Sequence, residues 1–499
     1  MQDQPPTNHS RVIGTETEYG ISAKDAALSD HVAGSIAVIG HYPDLPAPNA
    51  IWDYENENPL LDARGFEVEG ERERPNPEYN RQLNKVLANG GRLYVDGAHP
   101  EYSIPECSNP KEVVAFERVG ERVFAKCLHE LSRARGREQC VVYKNNSDGK
   151  GNSYGYHENY LVSRSVPFDR ILRVLAPFFV TRLIVAGAGK VGAENQTSPA
   201  EYQISQRADF FECLADLNTM VKRPIVHTRD EPHAEYSKYR RLHVIVGDAN
   251  MAEVSTYLKV GTLSMVMELL DAGADLPQIE LDEPVRAIKQ VSRDLDMKQS
   301  LKLSSGRPIT AVAIQRAYLS AAKTYYADHP TTEVMHDVLR RWEHVLDCLE
   351  KDPRLLVDEL DWVAKRHMIE SYLDRKGCGW TDPRAKLMDL QYHDVRPDKG
   401  LFYTLERGNL IKSVVTEAEI VRAETMPPPG TRAYFRGRCA AKFAASLYGV
   451  SWTSVLFDFG NPTITRIPLM DPNRGTEAMT GALLESCSTA EALLAKLKA

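Results

Sequence analysis

The sequence predicts an α+β fold, with a large domain on a mainly antiparallel sheet flanked by helices and a small domain at the C-terminus. Two observations predict it. Strand-like runs dominate residues 11–246 and helical periodicity dominates 254–376, without the regular alternation of parallel α/β folds. The run MPPPG at 426–430 cannot continue a helix, so we expect a domain boundary there, between 1–425 and 426–499.

The N-terminal half supplies most of the predicted strands. Residues 11–20 (RVIGTETEYG) alternate in strand fashion, whereas 21–90 are rich in Pro, Asn, Asp and Glu and are expected to form a long loop insertion with only short apolar pieces. A strand follows at 91–97 (GRLYVDG), and apolar residues at helical spacing predict an amphipathic helix over about 111–135. Further strands are predicted at 140–143, 159–163, 202–205 and 242–246.

The second half is predicted to be mainly helical, and two helical stretches around a strand at 454–459 are expected in the small domain. The segment GAGKVG at 187–192 matches a dinucleotide-binding glycine pattern. The residues that follow it, AENQTSPAEYQ, do not form a helical pattern, which that site requires. We therefore predict no dinucleotide site there.

Composition excludes several classes of protein. A formal net charge of -8 is unlike the basic surplus of nucleic-acid binders, so no nucleic-acid partner is expected. No run of about 18 apolar residues predicts a membrane span. The start, MQDQPPTNHSR, lacks the apolar region of a secretory signal. The eight cysteines include no C-x-x-C pair and are expected to be reduced thiols, so we expect a cytoplasmic protein.

Two carboxylates in the first predicted strand form the first candidate motif. Glu16 and Glu18 are two residues apart and therefore project from the same face of a strand. Like charges held together favour a cation between them, and oxygen ligands suit magnesium or manganese. The alternative is a plain solvent-exposed strand face.

The strand at 92–96 has one polar and one apolar face. Arg92, Tyr94 and Asp96 share a face by the two-residue period, and Glu101 follows shortly afterwards. This pattern predicts a sheet with one face packed on the core and one polar face that is available for binding or catalysis. The alternative is an ordinary ion pair between Arg92 and Asp96.

Histidines and arginines follow in later segments. His157 begins a strand after a loop rich in Gly and Asn, although a single histidine is more often structural than a ligand. The guanidinium groups of four arginines could clamp a polyphosphate, or could form surface ion pairs. They are Arg207, Arg229, Arg240 and Arg241. Arg241 and His243 are expected to share a polar strand face.

Six segments together resemble a known family. They are GTETEYGIS, NGGRLYVDGAHPEYSIPEC, KNNSDGKGNSYGYHENYL, TRDEPHAEYSKYRRLHVIVGDANMAE, STYLKVGT and TRAYFRGRC. From residue 11 to the C-terminus the chain is similar to the enzymes of the pupylation system, which are the Pup ligase and the deamidase and depupylase of Pup. These enzymes are distant relatives of glutamine synthetase and γ-glutamyl-cysteine ligase, which implies a glutamine-synthetase-like domain over 1–425.

The resemblance also implies roles for the matching residues. Magnesium would be bound by Glu16, Tyr94 and Glu101, with Glu18, His157 and His243 as further candidates. ATP would be contacted by Arg92, Trp452 and the backbone near Ile104, and phosphates by Arg207, Arg229 and Arg432. Asp96 would be the catalytic carboxylate, as base or nucleophile.

The implied chemistry is hydrolysis at the C-terminal residue of Pup. The deamidase converts that Gln to Glu and cleaves the isopeptide bond between the Glu and a substrate lysine, with ATP as a cofactor, so the implied partners are Pup and pupylated proteins. The segment WDYENENPLLDARGF at 52–66 and the short spacing from Asp96 to Glu101 favour this branch over the ligase. Two departures are Gly97, where depupylases often carry His, and a polar extension of about ten N-terminal residues.

Three alternatives remain at this point. A Pup ligase would use the same residues but consume ATP through a γ-glutamyl phosphate, and deletion of 51–66 should spare it while altering a depupylase. A small-molecule ligase of the γ-glutamyl-cysteine type would not bind Pup. A non-catalytic Pup-binding scaffold is the third, and the intact Glu16, Asp96 and Glu101 argue against it.

Overall fold

A computed structural model describes residues 11–69, 74–219 and 222–498 of the chain. The strands are β1 Ile13–Glu18, β2 Gly20–Ala23, β3 Ile51–Trp52, β4 Leu61–Asp62, β5 Phe66–Glu67, β6 Asn84–Val86, β7 Arg92–Asp96, β8 His99–Ser103, β9 Cys140–Tyr143, β10 Tyr156–Ser163, β11 Lys190–Val191, β12 Tyr202–Gln203, β13 Cys213–Asp216, β14 Pro224–His227, β15 Tyr239–Val244, β16 Ser300–Lys302, β17 Pro308–Thr310, β18 Leu447–Ser451, β19 Ser454–Phe457 and β20 Thr465–Pro468. The N-terminal extension, residues 1–10, lies outside the described residues.

Most of the helices follow β15, as the sequence predicts, but α4 lies in the region where strand-like runs were expected to dominate. They are α1 His31–Gly40, α2 Pro77–Leu83, α3 Pro110–Arg135, α4 Phe168–Ala186, α5 Glu253–Asp271, α6 Pro284–Arg293, α7 Ala311–Asp328, α8 Glu333–Lys351, α9 Asp361–Lys376, α10 Pro383–Tyr392, α11 Leu401–Arg407, α12 Glu417–Thr425, α13 Ala433–Lys442, α14 Glu477–Glu485 and α15 Ala490–Lys498. Within the described ranges, no helix is long and apolar enough to cross a membrane.

The main sheet has six strands in the order β15-β10-β1-β8-β7-β6, and every neighbouring pair is antiparallel. This confirms the predicted α+β class with a mainly antiparallel sheet. Residues of β10 alternate between buried and half-buried positions, because one face of the sheet packs on helices and the other borders a cleft. The glycine pattern at 187–192 contains β11, and the ten residues after β11 form turns and irregular backbone and no helix.

Helices α3, α4 and α5 cover the core face of the sheet. Helix α3 begins where the Asn109 side chain accepts a hydrogen bond from the backbone N–H of Glu112, and it ends at Gly136 with a φ of 70°. Helix α5 is buried along nearly its whole length, including the polar side chains of Glu253 and Lys259. It packs against α3, α4 and α8 and so forms the centre of the helical layer.

The expectation of a long loop over 21–90 is wrong. The described part of this segment contains helices α1 and α2 and five strands, and α1 packs against α3 and the β7–β8 hairpin. The Asp30 side chain caps α1 by accepting from the N–H of Ala33, and Val38 and Ile39 are fully buried. The expectation failed because the polar composition of the whole stretch hid the short apolar run HVAGSIAVIG.

The C-terminal layer, which we define as residues 433–498 together with β3, forms its own small core. Its four-stranded sheet has the order β20-β19-β18-β3, so Trp52 belongs to a sheet formed mainly by residues some 400 positions later. Helix α13 approaches the turn before β7 so closely that a Cβ at Gly437 would lie 2.7 Å from the carbonyl oxygen of Ala88. A division at residue 426 remains a proposal, and any such division has to assign β3 to the later unit.

Candidate active site

A cleft of about 1300 Å³ lies over the polar face of the main sheet. Its floor is built by β1, β7, β8, β10 and β15, and Trp452 of the C-terminal layer borders one end. The sequence-predicted residues that line it are Glu16, Glu18, Arg92, Tyr94, Asp96, His157, Arg207, Arg229, Arg241, His243 and Trp452. The floor is therefore polar, while the opposite face of the same strands packs into the core.

Strand register explains why these side chains meet. Glu16 pairs with His157 of β10, and Glu18 pairs with Glu101 of β8. Paired residues of antiparallel strands project to the same face, so the two carboxylates of β1 bring together residues that are distant in sequence. The result is two clusters of ligand atoms side by side on the floor of the cleft.

The first cluster consists of Glu16, His157 and His243, whose ligand atoms lie within 4.8 Å of one another. Burial acts to raise the pKa of Glu16, but the hydrogen bond to His157 and the charge of Arg241 outweigh it and hold this pKa at about 2. Burial and then Arg241 lower the pKa of His243 well below its ordinary value. A carboxylate beside a neutral imidazole is a set of ligands that a divalent cation accepts.

The second cluster consists of Glu18, Asp96 and Glu101, again with ligand atoms within 4.8 Å. Glu101 is 1% exposed, and neither of its carboxyl oxygens has a hydrogen-bond partner. Burial raises the pKa of Glu101 well above its usual value, and the charges of Asp96 and Glu18 add to this effect. The Asp96 side chain is exposed to the cleft. Partial loss of solvation inside the cleft raises the pKa of Asp96, and the charge of Glu18 adds to this effect.

The second cluster, which offers only carboxylate oxygens, fits magnesium. In the part of the chain that the structure describes, no arginine or lysine forms an ion pair with Asp96 or Glu101. A buried carboxylate without partners is costly unless a cation or a proton neutralises it. Hard oxygen ligands suit magnesium. Tyr94 lies beside this cluster as a neutral phenol, because burial and then Glu101 raise its pKa well above its usual value.

Arg92 is fixed between aromatic rings beside the clusters. Its guanidinium carbon lies 3.9 Å from the ring centre of Tyr94 and 4.2 Å from that of Trp52. It also donates to Asn84 Oδ1 at 2.9 Å and to the hydroxyl of Tyr54 at 2.9 Å. The expected alternative of an Arg92–Asp96 ion pair does not form, since Arg92 has other partners.

A smaller, mostly apolar pocket adjoins the Glu16 end of the cleft, and Ile104, Arg432 and Trp452 line it. The Trp452 ring meets that of Trp52 edge to face at 4.9 Å. Arg432 is 3% exposed and donates to Glu106 Oε1 at 2.8 Å and to the carbonyl of Leu469 at 2.7 Å. Much of its guanidinium is therefore already engaged inside the protein.

The four candidate phosphate-binding arginines separate in the structure. Arg207, Arg229 and Arg241 line the cleft, whereas Arg240 does not. The Nε of Arg240 lies 3.4 Å from Asp230 Oδ1, and its guanidinium packs over the Phe168 ring at 5.6 Å. For Arg240 the ion-pair alternative is correct, because the two-residue period of β15 directs Arg240 away from Arg241.

Sequence reasoning missed several residues of the cleft. Tyr54, Glu57, Arg223, His227 and Glu231 all line it. The indole N–H of Trp52 donates to Glu57 at 2.8 Å, so the insertion itself contributes to the wall. Glu231 lies in the segment TRDEPHAEYSKYRRLHVIVGDANMAE and His227 immediately precedes it, so both could have been suspected. Tyr54, Glu57 and Arg223 carry no local pattern that would reveal them.

The chain matches known proteins over almost its whole length. The family model described as Pup-ligase protein matches residues 11–456. The chain belongs to this family. A depupylase of Acidothermus cellulolyticus is 47% identical to it, over 98% of this chain and 99% of that protein. A Pup deamidase/depupylase of Mycolicibacterium smegmatis is 44% identical, with the same coverage of both chains.

Two solved structures of the family resemble this fold. One is the complex between prokaryotic ubiquitin-like protein Pup and its ligase PafA, with a TM-score of 0.79 and 33% identity over 96% of this chain and 91% of that one. The other is the Pup ligase PafA in complex with ADP, with a TM-score of 0.74 and 34% identity over 84% of this chain and 96% of that one. The similarity extends through the cleft-forming strands and most of the chain.

Proposed function

We propose that this protein hydrolyses the side-chain amide of the C-terminal glutamine of Pup and the isopeptide bond between Pup and substrate lysines, with ATP and magnesium bound in the cleft. The observation that carries the proposal is the pair of carboxylates Asp96 and Glu101, which pair with no arginine or lysine in the described part of the chain, beside Glu18 in the cleft. The relatives described as depupylase and deamidase, at 44–47% identity over nearly the full length, support the hydrolase reading over the ligase.

Both reactions are one kind of chemistry. Water adds to the side-chain carbonyl carbon of the terminal residue and the bond from that carbon to nitrogen breaks, so ammonia leaves in deamidation and the lysine amine leaves in depupylation. Asp96 is the catalytic carboxylate in this proposal, because it stands open to the cleft beside Glu18 and Glu101. It acts as a base on water or as the nucleophile. Magnesium, when bound, polarises the carbonyl.

The remaining residues hold the nucleotide and metal in this proposal. Glu16, His157 and His243 form one cation site, and Glu18, Glu101 and the neighbouring Tyr94 border the other. Trp452 and Ile104 supply apolar surface for the base in the small pocket, with Arg432 at its edge. Arg229 binds phosphate groups of the nucleotide in this proposal. It lines the cleft, and its charge helps to lower the pKa of Glu16, so it lies near the Glu16 end of the floor.

The structure changes how the ligase alternative should be tested. Deletion of 51–66 would remove β3, whose Trp52 is 1% exposed and belongs to the core of the C-terminal layer. Loss of activity after this deletion would therefore not distinguish the two enzymes. Glu57→Gln is the better change, because it keeps β3 and alters only the carboxylate that the insertion places in the cleft.

The decisive experiment is mass spectrometry of Pup ending in Gln, incubated with the protein, ATP and magnesium, in parallel with a preformed Pup–lysine conjugate. We expect a gain of about one mass unit on Pup and release of the conjugated partner, as amide-to-acid hydrolysis requires. Asp96→Asn is the matched control and should leave both substrates unchanged. If neither substrate changes, but Pup ending in Glu is joined to a lysine while ATP becomes ADP, the protein is a ligase. Binding of Pup without either reaction would indicate a scaffold.

A further inference from the structure

Two arginines at one end of the cleft carry positive charges that the described chain does not neutralise. Arg207 is 2% exposed, and its Nε has no hydrogen-bond partner. Arg223 is half-buried and donates to the carbonyl oxygen of Ser153 at 3.0 Å. Neither arginine forms an ion pair with any residue in the described ranges, unlike the buried Arg182, which pairs with Glu158 at 2.7 Å.

The cost of this arrangement points to a ligand. Burial lowers the pKa of Arg207 to about 9, and the neighbouring charge of Arg223 adds to that effect. Burial also lowers the pKa of Arg223, which Glu18 and the exposed Glu212 oppose only in part. A buried guanidinium without a counter-ion is destabilising, and two such groups side by side repel each other. An anion in the cleft would remove both penalties.

Strand register shows which end of the carboxylate row this pair occupies. Because β1 and β10 are antiparallel, Ser153, which precedes β10, lies beyond the Glu18 end of β1. Arg241 is paired with Leu161, further along β10, and therefore lies at the Glu16 end. The small pocket with Trp452 also adjoins Glu16. The cleft thus has one group of arginines on the nucleotide side and a second group on the side of Glu18 and Asp96.

The substrate carries an anion that the second group fits. If the side chain of the terminal residue of Pup is the reacting group, the α-carboxylate of that residue is free and lies a few bonds from the attacked carbonyl. Guanidinium groups match carboxylates with two parallel hydrogen bonds. We propose, on the basis of the function proposed above, that Arg207 and Arg223 bind the α-carboxylate of the C-terminal residue of Pup and so select a chain terminus. This assigns Arg207 to the substrate rather than to the phosphates expected from the sequence.

The position of the pair gives it a role in specificity. An internal glutamine has no α-carboxylate, so it would leave the buried guanidinium of Arg207 and the half-buried one of Arg223 without a counter-ion. Sites built for a polar partner strongly reject ligands that lack it. Phe210 supports the pair, since the guanidinium of Arg223 lies 6.0 Å from its ring centre. The same cleft residues would then discriminate a terminal glutamine from glutamines within other proteins.

The test compares ligands first and variants second. Pup ending in Glu, which is not consumed, is titrated into the wild-type protein with ATP and magnesium, and so is the same Pup with its terminal α-carboxylate converted to an N-methylamide. We expect the methylamide to bind about 10- to 100-fold more weakly, the usual loss when a buried charge loses its partner. The Arg223→Gln variant should bind the free-acid form of Pup about tenfold more weakly than the wild type does. The ratio of the affinities for the acid and the methylamide should shrink correspondingly.

Arg229→Gln is the matched control, because it removes a cleft arginine from the other group. Arg229→Gln should bind a fluorescent ATP analogue more weakly and should preserve the ratio of the affinities for the acid and methylamide forms of Pup. Arg223→Gln should leave the affinity for the nucleotide unchanged. Equal binding of the two Pup forms by the wild type would overturn the inference, as would a loss of nucleotide affinity in Arg223→Gln with an unchanged ratio. If the acid is preferred but Pup ending in Gln is never hydrolysed, the proposed function fails and this assignment stands.

Discussion

Two buried carboxylates on opposite faces of the main sheet, Glu158 and Glu101, differ in whether a partner balances their charge. On the core face, Glu158 of β10 is 0% exposed and receives two hydrogen bonds from Arg182, at 2.7 and 2.8 Å, and one from the hydroxyl of Tyr160 at 2.7 Å. On the cleft face, Glu101 of β8 is 1% exposed and has no hydrogen-bond partner. Both carboxylates are buried in the same sheet, yet only one is balanced within the described chain.

The difference separates structural charges from functional ones. Other buried carboxylates on the core side are also paired. The Lys144 Nζ lies 2.9 Å from Glu117 Oε2 and 3.1 Å from Glu121 Oε1. Removing one partner of such a pair leaves a buried charge alone, which destabilises a protein strongly. Unbalanced groups that line a cleft are instead complementary to a ligand, and their removal should change function more than stability.

Asp96→Asn should reduce the activity of the enzyme strongly and should change its stability little. We expect turnover of Pup ending in Gln to drop at least about 10²–10⁴-fold, the range for loss of a catalytic acid or base. The unfolding free energy should stay the same or rise slightly, because one of three like charges disappears. Rates by mass spectrometry and urea unfolding of the same preparation check both parts. A variant that is both inactive and markedly destabilised would place Asp96 among the structural charges.

Glu158→Gln should have the opposite profile. The change leaves the guanidinium of Arg182 buried without its counter-ion, so we expect a loss of about 3–5 kcal/mol in the free energy of unfolding, measured in urea. Glu350→Gln is the control, because Glu350 forms an exposed pair with Arg316 and should cost at most about 1 kcal/mol. Similar losses in the two variants would contradict the distinction between balanced core charges and surface pairs.

Glu106 tests the same idea at the junction with the C-terminal layer. It lies 2.8 Å from Arg432 and also pairs with Arg436, and although burial acts to raise its pKa, these two arginines hold the pKa at about 2. Glu106→Gln should therefore lose roughly 3 kcal/mol of unfolding free energy at neutral pH. A carboxylate with a depressed pKa stabilises the folded state above its unfolded pKa of about 4.5 and loses that effect as the pH falls towards 2.

The measurement for Glu106 is therefore a comparison of stability against pH. The difference between wild type and Glu106→Gln should be constant above about pH 5 and should narrow steadily as the pH falls from 4.5 towards 2. If the difference in unfolding free energy stays constant down to pH 2, the ion pairs of Glu106 with Arg432 and Arg436 do not stabilise the contact with the C-terminal layer.

Parts of this account could be predicted from the sequence, and the reason is local periodicity. The two-residue period placed Glu16 with Glu18 and Arg92 with Asp96, and helical spacing predicted a helix at 111–135, where α3 spans Pro110–Arg135. Specific long motifs then indicated the family and the residues to compare. The roles of the site residues remain predictions that the experiments above address.

What could not be predicted depends on contacts between distant segments. The register that pairs Glu18 with Glu101 is a property of the folded sheet, as is the entry of β3 into the C-terminal layer. Arg223 stands in a polar segment with no periodic pattern, so only its proximity to Arg207 in the fold reveals it. Helix α1 was missed because its small and apolar residues were embedded in a stretch with loop-like composition.

The most direct test of the central claim is the effect of magnesium on stability. We expect magnesium to raise the unfolding free energy of the wild-type protein, since a cation that binds only the folded state stabilises it. Glu101→Gln should lose much of this increment, and without metal it should unfold at a similar or higher denaturant concentration than the wild type. Equal stabilisation of wild type and Glu101→Gln by magnesium would contradict this claim, because the unpaired carboxylates of the cleft would then not be the cation site.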